Sequence, residues 1–234
     1  MISSAKLSGL VLSLGLLLCR EASAEQPPGL GTHQQHFLPS VGVRASFIAD
    51  EGFDPFATND VLAQLTLGLS RTVFVAGDLS VAVDAHWDYG GRSSEARGLP
   101  SELEVHRLSV GPELRYHVLP ILYGFSRISP ALLHTSAALS DDVTDVTLYA
   151  RNWTYGLDAT LGVTVQLYGM ASAASNKPRI WGSVEGGYGF GAPTDLSLSP
   201  DEDESNAPLR LSSIELGELA ISGPLFRVAV ALSF

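Results

Sequence analysis

The chemistry open to this chain begins with His134-Thr135-Ser136. Residues two apart share one face of a strand, so the His134 imidazole could take the Ser136 proton as the hydroxyl attacks an ester. A carboxylate would have to orient that histidine, and Asp141, Asp142 and Asp145 could do so only from a loop. The plainer reading is a rim histidine beside a small hydroxyl. Gly186-Gly187-Tyr188-Gly189-Phe190-Gly191 superficially matches a nucleotide loop. A phosphate cradle sits between a strand and a helix N-terminus, and no helical pattern follows, so close packing at a strand wall explains the glycines better. Asp201-Glu202-Asp203-Glu204, flanked by Pro200 and Pro208, offers carboxylates to hard cations. It lacks the alternating ligands and glycine of a calcium loop and reads as solvated. Asn152-Trp153-Thr154 fits a glycosylation sequon but opens a strand, which discounts it. Neither a cofactor nor a metal site is expected.

Composition narrows the partners. The 234 residues carry 14 Lys+Arg against 25 Asp+Glu, a formal charge of −11. Nucleic acid is excluded as a partner, because a phosphate-binding surface needs clustered cations. Low charge and many small and β-branched residues exclude a disordered chain. Residues 1–24 read as a cleaved secretory signal peptide: Lys6, an apolar run from Leu7 to Leu18, then Ala22-Ser23-Ala24. Leu18 before Cys19 argues against a lipidated cysteine, and cleavage would remove the only cysteine. The expected organisation is this leader, a short segment over 25–36, and one domain over 37–234.

Within that domain the dominant signal has period two. Phe226, Val228, Val230, Leu232 and Phe234 fall on one face of the last strand, with Arg227, Ala229, Ala231 and Ser233 on the other. Trp153 to Leu167 alternates for fifteen residues without a fault, which a 3.6-residue period cannot produce. Eight strands are expected near 37–48, 61–70, 79–89, 103–118, 122–137, 152–168, 180–190 and 219–234. The fourth alternates imperfectly at its start, and Pro130 leaves the phase of the fifth ambiguous.

Which face meets water follows from the charges. Arg44, Arg107, Arg115, Arg127 and Arg227 share the polar parity with Asp84, Glu113, Asp158 and Glu185. Five arginines and four carboxylates can satisfy one another in a lumen while the apolar parity faces lipid. Threaded up and down, Phe37, Phe74, Tyr116, Tyr123, Phe125, Tyr168, Trp181 and Phe234 fall near the lower rim. Phe47, Trp87, Tyr89, Trp153, Tyr155, Tyr188 and Phe190 fall near the upper rim. Two aromatic belts are what the interfaces of a bilayer select. The fold expected is all-β: an eight-stranded antiparallel up-and-down transmembrane β-barrel, its longest upper loop running from about 191 to 218.

The alternating run that ends in Phe234 resembles the terminal strand of small bacterial outer-membrane barrels of the OmpA/OmpX type. The resemblance covers the barrel alone, and no peptidoglycan-binding domain is expected after it. It implies residence in the outer membrane, contact with outer-membrane lipids and lipopolysaccharide, and recognition of Phe226, Val228, Val230, Leu232 and Phe234 by the barrel insertion machinery. A structural or surface-interaction role, with loops meeting an extracellular partner, is then the expected function, and no enzyme. The His134-x-Ser136 pair separately resembles that of the outer-membrane lipid A deacylases. Ala137 replaces the Asn that follows the serine in that family, and no matching Glu follows. A narrow pore is a further alternative, opposed by the tight interior of an eight-stranded barrel.

Overall fold

The computed structural model describes residues 37–96, 98–141, 146–169, 178–200 and 213–233. The leader, the 25–36 segment, the acidic run 201–204 and Phe234 lie outside the described residues. The strands are β1 (Leu38–Phe47), β2 (Val61–Ala76), β3 (Leu79–Ala96), β4 (Leu99–Leu119), β5 (Leu122–Asp141), β6 (Val146–Tyr168), β7 (Arg179–Gly191), β8 (Thr194–Pro200), β9 (Ile214–Leu219) and β10 (Gly223–Ser233). Consecutive strands pair antiparallel from β1 to β7, β7 pairs with β10, and β10 pairs with β1. The ring therefore closes with eight strands, the barrel that the alternation predicts. No described helix is long and apolar enough to cross a membrane.

Several boundaries are corrected. The last barrel strand starts at Gly223, not near 219, because Leu219 ends β9. The expected long loop over 191–218 instead contains the β8–β9 hairpin, and β8 pairs with the top of β6 at Leu148 and Tyr149. The strands β3, β4, β5 and β6 reach well above their expected upper ends, so that flank of the barrel stands taller than the other.

The imperfect start of β4 has a physical cause. Arg107, Ser109, Glu113 and Arg115 point inward and are buried, while Leu108, Leu114 and Tyr116 are exposed outside. Above Arg107 the polarity exchanges: Leu103 and Val105 are fully buried inside, while Glu102 and Glu104 are exposed outside. A strand that alternates as a lipid-facing wall below and as a water-facing wall above is leaving the membrane between those residues. The inner face of the tall section holds an apolar core. Leu103, Val105, Leu133, Leu139 and Leu148 of the wall pack there with Leu196, Leu198 and Leu219 of the hairpin. A 3-10 turn, Glu51–Phe56, closes the remaining side, with Asp50 capping it through Gly52 N–H at 3.0 Å. The three-residue period of that turn puts Phe53 and Phe56 on one side, and both are buried in this core.

Below the exchange the wall is apolar outside: Val43, Leu67, Leu161 and Val228 are all exposed. Val228 lies between Val43 and Val184 at mid-height. Val228→Arg should cost about 2–4 kcal/mol, read as a lower urea midpoint for refolding into lipid vesicles. The lumen-side change Ala229→Ser should leave that midpoint almost unmoved.

Candidate functional site

Long side chains fit the interior of an eight-stranded barrel only where neighbours are small. Gly189 shows how the sequence provides the room: a Cβ there would lie 2.8 Å from both Arg44 Nη2 and Asp158 Oδ1. In the space so cleared, Asp158 Oδ2 accepts from Arg107 Nε at 3.1 Å and from Arg44 Nη1 at 2.9 Å. Its Oδ1 accepts from Arg107 Nη2 at 2.7 Å. Arg44 also donates to Asp88 Oδ2 at 3.0 Å, and Thr66 Oγ1 donates to Asp88 Oδ1 at 2.6 Å. Arg227 links the next layer, with Nη2 3.1 Å from Asp88 Oδ2 and Nη1 2.5 Å from Glu185 Oε1.

The lower half continues the same chain. Arg127 pairs with Glu185 and with Asp84, and His86 Nδ1 lies 2.9 Å from Asp84 Oδ1. Glu113 Oε1 accepts from Arg115 Nε at 2.5 Å, and its other oxygen is 3.9 Å from Arg127. Arg115 also donates to Ser70 and Thr72 hydroxyls. All nine lumen charges expected from sequence are thus buried and joined in one network.

The tenth member is Asp88, fully buried and missing from the expected set. Its signal was available, since it continues the inward parity of Asp84 and His86 on β3. With Asp88 included, five guanidinium groups face five carboxylates and the formal charge of the network cancels. Cancellation and hydrogen bonding are what make a buried set of this size tolerable.

Both ends of the lumen are closed by apolar groups. At the lower end Tyr123, Phe125 and Trp181 are buried with Leu38 and Ala231, and Trp181 Nε1 donates to Ser233 Oγ at 2.9 Å. This corrects the lower aromatic belt: these three rings face inward because β5 and β7 carry them on the lumen parity. Phe37, Phe74, Tyr116 and Tyr168 do face outward, as do all seven expected upper rings. A cavity of about 40 Å³ remains among the lower charges, room for a few waters.

The outside places the expected reactive pair. Both His134 and Ser136 lie on the outward parity with Ile128 and Leu132, which settles the phase of β5. The His134 ring packs against Trp153 at 4.6 Å and His106 at 5.9 Å. Among the described residues it has no hydrogen bond to Ser136 or to a carboxylate; Asp142, Asp145 and the side chain of Asp141 lie outside the described residues. The glycine run of β7 leads into β8 rather than a helix, and no group of three or more metal-ligating side chains gathers among the described residues.

Closed antiparallel strands, lipid-compatible wall and polar lumen together make the build of an outer-membrane barrel. It is a membrane barrel. Solved structures similar to it include Neisserial surface protein A, with a TM-score of 0.44 at 9% identity over 85% of this chain and 97% of that one. The Escherichia coli outer membrane protease OmpT gives 0.43 at 8% identity over 85% and 93%. The outer membrane protein AlkL in lipid bilayers gives 0.40 at 11% identity over 92% and 95%. No family model and no curated protein matches the chain. The membrane placement of this barrel follows from its wall and lumen, not from these likenesses.

Proposed function

We propose that this chain is a non-conducting outer-membrane barrel that holds a rigid cap at the cell surface, in a structural or surface-interaction role. The observation that carries the reading is the neutral ion network across the lumen, closed by apolar groups at both ends. Two of the connections below are of two residues, between β2 and β3 and between β4 and β5, and the cap, with the extended ends of β3 to β6, stands on the opposite rim. Short turns mark the periplasmic side of such barrels, so the cap faces outward. A scaffold of this kind meets outer-membrane lipids and lipopolysaccharide along its wall, and a partner of its cap remains a matter for the loops it fixes. The outward run Phe226, Val228, Val230 and Leu232 leading to Phe234 is the surface the insertion machinery would read.

Two measurements test the reading. Unheated and boiled samples should migrate differently on a denaturing gel, because a closed wall offers no edge from which detergent can unzip it. The purified barrel in a planar bilayer should carry no steady current. Identical mobilities would remove the membrane barrel, while large steady currents would remove the closed lumen and leave the barrel standing.

A further inference from the structure

The upper belt is not uniform around the barrel. On the tall flank its rings touch in an unbroken series across four strands. Trp87 and Tyr89 of β3 have centroids 6.0 Å apart, and His106 of β4 lies 4.7 Å from Tyr89. His134 of β5 follows at 5.9 Å, and Trp153 of β6 at 4.6 Å. On the opposite flank Phe47, Tyr188, Phe190 and Phe226 are exposed and, among the described residues, touch no other ring.

One outward step above this ladder lies a row of polar groups. Ser136 pairs with Glu104 on one side and with Arg151 on the other. Tyr89 donates to Glu104 at 3.4 Å. The Arg151 guanidinium lies 5.7 Å from the Tyr149 ring centroid and, among the described residues, has no ion pair or hydrogen bond. Rings below and an unpaired cation above meet at the height where inside and outside exchange polarity, which is where acyl chains give way to headgroups.

We propose that this flank binds the headgroup of a phosphorylated glycolipid. Sugar rings present C–H faces that pack on aromatic rings, and their hydroxyls need acceptors and donors such as Glu104 and Ser136. A phospholipid headgroup has no comparable ring face. Guanidinium matches phosphate in shape and charge, and Glu104 repels it, so the phosphate lies toward β6 at Arg151. The ladder then orients the sugar beneath. This proposal rests on the membrane placement above and adds to it a preferred lipid.

The test uses the barrel refolded in detergent micelles, titrated with lipid A, dephosphorylated lipid A or phosphatidylglycerol, and read by native mass spectrometry and tryptophan fluorescence. Heat-dependent gel mobility confirms closure of each variant. Lipid A should bind about tenfold more tightly than either competitor, and Arg151→Gln should abolish most of that preference. Trp153→Ala should weaken both forms of lipid A, whereas Phe190→Ala on the opposite flank should change neither. Should Trp153→Ala fail to close, Arg151→Gln on the exposed wall carries the test alone. Equal binding of phosphatidylglycerol, or unchanged preference in Arg151→Gln, would overturn the proposal. A closed barrel without lipid preference leaves the membrane reading intact, and only a barrel that fails the gel test removes both.

Discussion

Asp158→Ala is expected to lower the stability of the barrel by about 3–5 kcal/mol, because it strips a carboxylate from two buried guanidinium groups at once. Among the described residues Arg107 has no other carboxylate partner within hydrogen-bond reach and would keep only the Phe190 carbonyl, 3.2 Å away. Arg44 would keep Asp88 and Ser46. The midpoint of urea unfolding in detergent, followed by loss of the fast-migrating form, should fall accordingly. Glu113→Ala should cost less, since Arg115 retains the Ser70 and Thr72 hydroxyls and Arg127 retains Asp84 and Glu185. Pairing Asp158→Leu with Arg107→Met should recover much of the loss, as replacing a whole buried pair by apolar groups often does. Wild-type stability in Asp158→Ala would mean that the network is not what holds the lumen together.

The second large effect lies above the membrane. Phe56→Ala should remove about 3–5 kcal/mol of packing from the cap, because its ring is fully buried against the apolar core. The loss is local: the wall beneath is closed by its own hydrogen bonds and does not depend on this ring. Limited proteolysis should cleave the segment between β1 and β2 far faster in the variant, while the gel mobility of the closed barrel stays unchanged. Unchanged cleavage would show that the cap is held by something other than this core.

Most of the wall was legible because a strand with one lipid face and one polar face has a strict two-residue period. The inward set Arg44, Asp84, Arg107, Glu113, Arg115, Arg127, Asp158, Glu185 and Arg227 follows from parity alone, and the structure joins all nine. Asp88 lies within the expected third strand, 79–89, on the inward parity of Asp84 and His86; the parity places it in the lumen, and the expected charge set omitted it all the same. The taller ends of β3 to β6 were illegible for a related reason. Leu103 and Val105 are apolar on the parity that is charged below, and one rule for the faces cannot hold on both sides of an interface. Tyr123, Phe125 and Trp181 show the converse limit: an aromatic near a rim suits a belt or a plug equally well, and only the parity of β5 for the first two, and of β7 for Trp181, decides. The β8–β9 hairpin left little trace, since its strands are short and β9 is interrupted by Gly217 at φ +90°.

The exchange of polarity on β4 also fixes how deep the barrel floats. From Leu108 to Tyr116 its lipid-facing stretch spans about 20 Å along the membrane normal, once strand tilt is allowed for. Sinking by two outward positions would immerse Glu104, and rising by one would bring Leu108 into water. A thicker leaflet cannot draw the wall down to suit itself, so the lipid must compress around the barrel instead. Several copies in one membrane would then share a thinned annulus, and the elastic cost of that annulus would draw them together without any contact between their walls.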